Sequence, residues 1–267
     1  MKKSIVVIMA HADDIELGAG GTLAKYIADG YRALYGVLSR CNSGWTRSKE
    51  EGDRFLPSRE IVPIRRREAE AAAELFGAEL YYGDLLEKYH TTADGTRIVP
   101  SFAGAQTTDG QPIDTDDVPQ GTLMAVAASA GGLSDVSPVT REITDLLVAW
   151  EPELVIGQEI GNLNIDHLAA AQILAMAWRL AREKADIGPL WLPVPRPQTD
   201  ASVFPVFEPN RFVDVSQYED TARAALACHK SQGGHLPVMQ DPAAKRRRFW
   251  GENQKVAAAE AFVEVYP

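Results

Sequence analysis

His11, Asp13 and Asp14 lie within four residues of one another, directly after an apolar run, in the stretch IVVIMAHADDIELGAGG at 5–21. A histidine nitrogen and an aspartate oxygen are good ligands for a borderline divalent ion such as zinc. His11 and Asp14 are three residues apart across a tight turn, so both can face one ion. A catalytic zinc site takes three protein ligands and keeps one position for water. Four other histidines exist: His90, His167, His229 and His235. His167 is the natural third ligand, because it opens a helix just after another strand-like segment and can face the same crevice. Asp13 is then left without a metal role. A carboxylate beside a metal-activated water can take its proton and later return it to a leaving amine. An alternative stands beside this reading: an Asp-Asp pair after a strand can simply cap the next helix. GAGG is a weak phosphate-loop signal, since it lacks the full G-x-G-x-x-G spacing and two carboxylates precede it.

These residues need elements to hold them. Ser4 to Met9 is a continuous apolar, β-branched run, the pattern of a strand buried on both faces. Gly20 to Ala28 predicts a helix, with Leu23, Tyr26 and Ile27 on one face and Gly30 ending it. Ala33 to Leu38 predicts a second strand. Val62 to Phe76 predicts a long Ala/Glu/Arg helix with Gly77 as its C-cap. Glu79 to Tyr82 predicts a third strand. From about His90 to Ser137 no period is sustained, which predicts a long insertion near the active site; TLMAVAASAGG within it reads as a short helix. Beyond it, Val139 to Trp150 predicts a helix, Leu154 to Gly157 a strand and His167 to Glu183 a helix. LWLPVPRP reads as a Pro-punctuated loop, Phe212 to Val215 as a strand and Gln217 to His229 as a helix. Asn253 to Val263 reads as a terminal helix. Strands alternating with helices imply βαβ units, hence an α/β fold with a mostly parallel sheet. Without repeats or a dividing linker, 1–267 reads as one domain with a C-terminal extension. In such sheets, sites form at the carboxyl ends of strands, where His11 and the segment QEIGNLNIDH both fall.

Composition narrows the partners. Lys and Arg number 27 against 37 Asp and Glu, a net charge of −10, which argues against nucleic acid. A small-molecule substrate is easier to reconcile with this balance. Cys41 and Cys228 are far apart in no metal-like spacing, as expected of free thiols in a reducing compartment. The start MKKSIVVIMAHADD imitates a secretory leader, but its apolar core is short and ends in His11 and two aspartates. No run approaches a membrane span. The expectation is a cytoplasmic protein off the membrane; size and exposed helices suggest a homo-oligomer.

AHADDIELGAGGTLAK resembles the N-terminal motif of the PIG-L/LmbE-like deacetylases, A-H-P-D-D-x-E-x-G-x-G-G-T. The resemblance recurs in order at RRREAEAAAELFGAEL, IDHLAA and ALACHKSQ, and weakly at AEAF. It implies a Rossmann-like fold and zinc-dependent hydrolysis of an N-acyl group, commonly N-acetyl on a glucosamine unit. It also implies that His11, Asp14 and His167 bind zinc and that Asp13 is the base. Arg67 lies where the family often has a substrate-contacting arginine, with a solvated helix face as the competing reading. Asp84, after a strand, is a candidate for a sugar hydroxyl. Other substrate readings are a non-sugar N-acyl compound or a thiol conjugate; a weakly active, metal-binding ligand carrier is a further one.

Two departures from the motif matter. Ala12 replaces the usual proline, which affects turn rigidity. Asn164 replaces the histidine that the family commonly has three residues before its zinc-binding histidine, a group thought to hold the tetrahedral oxyanion. Asparagine can donate a hydrogen bond to an oxyanion but cannot carry a full charge. Asn164 is therefore a candidate catalytic residue that keeps part of this role. Asp166 is read as a helix cap or as a group orienting a ligand. His229 and Gln232 are assigned to packing, and KRRRF near 245 to a solvated face.

Overall fold

The computed structural model describes residues 3–48, 52–99, 122–123, 126–127, 136–159, 164–194 and 208–265. In chain order the elements begin β1 (Ser4–Met9), α1 (Asp14–Gly18), α2 (Gly20–Ala28), β2 (Arg32–Ser39), β3 (Trp45–Ser48) and β4 (Gly52–Phe55). There follow α3 (Ser58–Phe76), β5 (Glu79–Leu85), β6 (His90–Thr91) and β7 (Arg97–Ile98). Next come α4 (Pro138–Trp150), β8 (Leu154–Ile156), α5 (Ile165–Arg182), β9 (Leu190–Pro193) and β10 (Arg211–Asp214). The last are α6 (Glu219–Leu226), a 3-10 turn (Lys230–Gln232), α7 (Pro237–Gln254) and β11 (Ala259–Val265).

Seven strands form the central sheet in the order β10-β11-β9-β8-β1-β2-β5. The five from β9 to β5 run parallel, and β11 lies antiparallel to both β9 and β10. Every residue of β1 is buried, as a strand covered on both faces must be. Ile5, Val7 and Met9 point to one side and pack with Leu23 of α2, Phe76 of α3 and Ala225 of α6. Val6 and Ile8 point to the other and pack with Ile143 and Leu147 of α4 and Leu174 and Trp178 of α5. The result is a three-layer α/β sandwich. The chain turns from β1 to β2 on one side, while β8 lies on the other, so the carboxyl end of β1 is a topological switch point. No helix among the described residues is long and apolar enough to cross a membrane.

Several expectations need correction. Residues 253–263 are not a helix. The helix α7 stops at Lys255, which is left-handed, and β11 follows. The Ala and Glu of this segment favour a helix locally, but pairing with two neighbours in the sheet decides otherwise. LWLP of the expected loop is strand β9, since its prolines lie at or beyond its last residue; 195–197 lie outside the described residues. The helix α7, carrying KRRRF, has no apolar stripe to announce it, and prolines lie in its first two turns. The hairpin β3–β4 is also new. The helix α3 begins four residues earlier than expected, and Gly77 caps it at φ 78°. Most of 90–137, including most of TLMAVAASAGG, lies outside the described residues.

The amino end of α2 is closed by a remote carboxylate. Glu260 of β11 accepts the N–H groups of Gly21 at 2.9 Å and Thr22 at 2.8 Å, and pairs with Arg247 of α7 at 2.9 Å. A helix terminus of this kind attracts anions, so the GAGG turn is satisfied from within and no phosphate is needed there. Gly21 is required by close approach: a Cβ would lie 2.7 Å from Cβ of Val215. Because Glu260 and Arg247 are both buried, Glu260→Gln should destabilise the protein by about 3–5 kcal/mol, read from urea denaturation, as the guanidinium loses its counter-charge.

Candidate metal centre and active site

The turn after β1 and the start of α5 after β8 meet across the switch point. Gln158 ties them together, its Oε1 accepting the Ala10 N–H at 2.8 Å. His11 Nδ1 lies 3.1 Å from Asp14 Oδ2 and 3.2 Å from His167 Nε2, and His167 Nε2 lies 3.4 Å from Asp14 Oδ1. One ligand atom from each of the three residues can be chosen so that all lie within 4.8 Å of one another. A tetrahedral ion with bonds of about 2.0–2.1 Å sets its ligand atoms about 3.3 Å apart. The spacing and the two-imidazole, one-carboxylate donor set therefore fit a divalent cation such as zinc.

The outer atoms of these ligands are held by further carboxylates. His11 turns Nε2 toward Asp166 Oδ2 at 3.4 Å and Glu87 Oε1 at 3.6 Å. His167 turns Nδ1 toward Glu159 at 3.9 Å. Carboxylates behind imidazoles fix the ring orientation and raise ligand basicity. Glu87 is itself anchored, accepting from Ser39 Oγ at 3.1 Å and Ser43 N at 3.0 Å. Burial works against a charge on His11, but Glu87 and Asp14 prevail and hold its imidazole well above its ordinary pKa. Burial also opposes the charge on Asp14, and the His167 and His11 imidazoles override it, holding that carboxyl well below its usual range.

The Asp13 side chain does not cap a helix. It precedes α1 but makes no side-chain capping bond. Its backbone sits at φ 132°, a conformation that costs a non-glycine residue about 1–3 kcal/mol and that clusters at functional sites. Its Oδ1 lies 3.2 Å from the Arg65 guanidinium, which also donates to the Ala12 carbonyl. Burial pushes the Asp13 carboxyl up, against the pull of Arg65. Asp14, by contrast, does take one backbone group, the N–H of His11 at 2.9 Å, while still facing both imidazoles.

Arg65 is part of a chain of contacts. It reaches Glu68 at 3.3 Å, and Glu68 accepts the N–H and the hydroxyl of Ser231 at 2.6 and 2.7 Å. Gln232 donates to the Trp45 carbonyl at 2.8 Å and lines the cavity. The HKSQ segment thus braces the arginine behind Asp13. His229 is fully buried, 3.3 Å from Glu16, which also accepts from Tyr35.

A cavity of ≈ 290 Å³ opens over these groups, its wall including Asp13, Arg65, Lys88, Arg97, Asn164 and His167. Asn164 caps α5, its Oδ1 accepting the Asp166 N–H at 3.1 Å and the Lys88 ammonium at 2.6 Å. Arg67 is on the exposed face of α3; the arginine facing Asp13 is Arg65, two residues earlier on the buried face. Asp84 is outside the cavity wall and pairs with Arg40 at 3.0 Å. The carboxylate after β5 that reaches the site is Glu87. Sequence reasoning did not single out Arg65, Glu87 or Lys88. The RRR run marked the right turn of helix without fixing which arginine faces inward.

Comparison with known proteins agrees with this architecture. A conserved protein from Thermus thermophilus is 22% identical, with a TM-score of 0.61 over 99% of this chain and 96% of that one. The 4-carboxy-2-hydroxymuconate hydratase from Pseudomonas putida is 20% identical, with a TM-score of 0.64 over 100% and 97%. The N,N'-diacetylchitobiose deacetylase from Pyrococcus horikoshii is 18% identical, with a TM-score of 0.63 over 98% and 84%. The family model described as PIG-L, GlcNAc-PI de-N-acetylase, matches residues 6–178, which takes in both strand ends that build the site. With more than half of its length inside that match, the chain belongs to the PIG-L family.

Proposed function

We propose that this protein is a zinc-dependent hydrolase that removes an N-acyl group, in the first instance N-acetyl, from an amino-sugar-containing small molecule. The observation that carries the reading is the triangle of His11, Asp14 and His167 with Asp13 beside it and outside it. The family's description and the deacetylase among its fold relatives support amide hydrolysis over the hydration that another relative performs. A divalent cation in the triangle would polarise a carbonyl and bring a water's pKa down toward about 7. Asp13, held by Arg65, is placed to accept the proton of the attacking water and to return it to the departing nitrogen. Amide and water then become carboxylate and ammonium, with both protons of the water ending on the departing nitrogen. Asn164 offers its amide group to the oxyanion. Its Oδ1 accepts from Lys88 and Asp166, so the contact with the oxyanion is made through Nδ2, a donor that an ammonium on the carbonyl side strengthens.

The same reading takes 1–267 as a single domain that works in the cytoplasm on a small molecule, in keeping with its two free cysteines. Metal analysis coupled to acetate release tests it across N-acetylglucosamine derivatives and non-sugar N-acetyl compounds. Zinc-dependent release from the sugars is the expected result. Release only from non-sugar compounds would point to an amidase, and bound zinc without turnover of any amide would remove the hydrolase. Asn164→Ala should lower kcat by about 10²-fold with zinc retained, and Asn164→His should keep most of the rate. If neither change moved kcat, Asn164 would have no part in the reaction.

A further inference from the structure

The cavity holds three cationic side chains, Arg65, Lys88 and Arg97. It also holds four carboxylates, and each is committed elsewhere. Asp13 is paired with Arg65, and Asp14 with the two imidazoles. Glu87 is held by Ser39, Ser43 and His11. Asp166 faces His11 and accepts the backbone N–H of Lys88. Among the described residues no carboxylate contacts the Lys88 ammonium, whose hydrogen bond goes to the neutral Asn164, or the Arg97 guanidinium. Both cations are assembled on one aromatic ring. Arg97 Cζ lies 3.7 Å from the centroid of Tyr89 and Lys88 Nζ 5.9 Å from it, and Phe55 lies 4.6 Å from Arg97 on the hairpin β3–β4. Stacking fixes the plane of the guanidinium and leaves its N–H edge to bind a ligand.

A chain of net charge −10 in which two cations of one cavity have no acidic partner among the described residues concentrates positive potential there. We infer that the substrate carries an anionic group, a carboxylate or a phosphate, which binds between Lys88 and Arg97. The group belongs to the amine portion, because an acetyl unit has no place for one. A planar, bidentate guanidinium contact with either oxyanion, reinforced by an ammonium, provides the recognition. The inference rests on the cavity being the active site, and it adds a substrate class to the function proposed above.

Calorimetric binding to the full-length Asp13→Asn protein would compare neutral N-acetylglucosamine with N-acetylglucosamine 6-phosphate, N-acetylmuramic acid and N-acetylglutamate. At least one anionic probe should bind about 10-fold or more tighter than the neutral sugar, with the advantage fading as salt rises. The phosphate and carboxylate probes separate the two sources of charge. Arg97→Met should erase the preference, while Arg97→Lys should keep part of it; Arg97 is exposed at the cavity mouth, so neither change disturbs the core. Equal binding of neutral and anionic probes, or a preference untouched in Arg97→Met, would overturn the inference. Turnover assays on the wild-type protein keep the two proposals apart. Equal hydrolysis of neutral and anionic amides removes the anion site and leaves the deacetylase. Selective anion binding without hydrolysis does the reverse. A protein that binds and cleaves none of the probes has neither.

Discussion

Replacing His167 by alanine should take bound zinc from about one ion per chain to background, and acetate release with it. The remaining pair, His11 and Asp14, comes from one turn and supplies two donors. The third comes from α5 across the switch point, 3.2 Å from His11 Nδ1. Loss of a donor from a three-ligand site leaves an ion held mostly by water. Mass-spectrometric metal analysis after dialysis reads the loss directly, and near-UV circular dichroism confirms that the core of α5 is intact. Stoichiometric zinc in His167→Ala would show that the ion sits elsewhere.

Asp13→Asn should behave in the opposite way toward the metal. Zinc content should hold, while kcat should fall by about 10²–10⁴-fold, the range for a lost general base. Asparagine preserves the size of the side chain and a contact with Arg65, but it cannot take a proton from water. A residual rate near wild type would dismiss Asp13 as the base. The strained backbone at this position gives a second signature. Asp13→Gly should be as inactive as Asp13→Asn and more stable than Asp13→Ala, because both lose the Arg65 contact but only glycine adopts φ 132° without the cost borne by a side chain. Thermal unfolding of the glycine and alanine variants provides that comparison.

How much of this was visible in the residues differs by element. The strand β1 was legible, because five consecutive apolar positions from Ile5 to Met9 admit little but a strand buried on both faces. The meeting of His11, Asp14 and His167 was also legible, since these are chemistry-bearing residues at the ends of strong elements. Elements whose local composition opposes their final state were not. Ala and Glu in β11 favour a helix, and the sheet neighbours that decide the matter are distant in sequence. Prolines disguised both β9 and α7 as irregular chain. Facing was harder than existence. The helix over Arg65, Arg66 and Arg67 was clear, but which of the three turns inward depends on where α3 meets the turn at 230–232. The same applies to Glu87 and Lys88: their approach to His11 and Asn164 follows from the path of β5 past β2, which no periodicity reports.

The carboxylate of Glu260 at the start of α2 has a bearing on biogenesis. The contact joins positions 239 residues apart, so the second helix waits for its partner until β11 has left the ribosome. Closing so long a loop is slow. The turn that carries His11 and Asp14 packs directly before this helix, and it should gain protection against hydrogen exchange only in the final phase of refolding, together with the last strand.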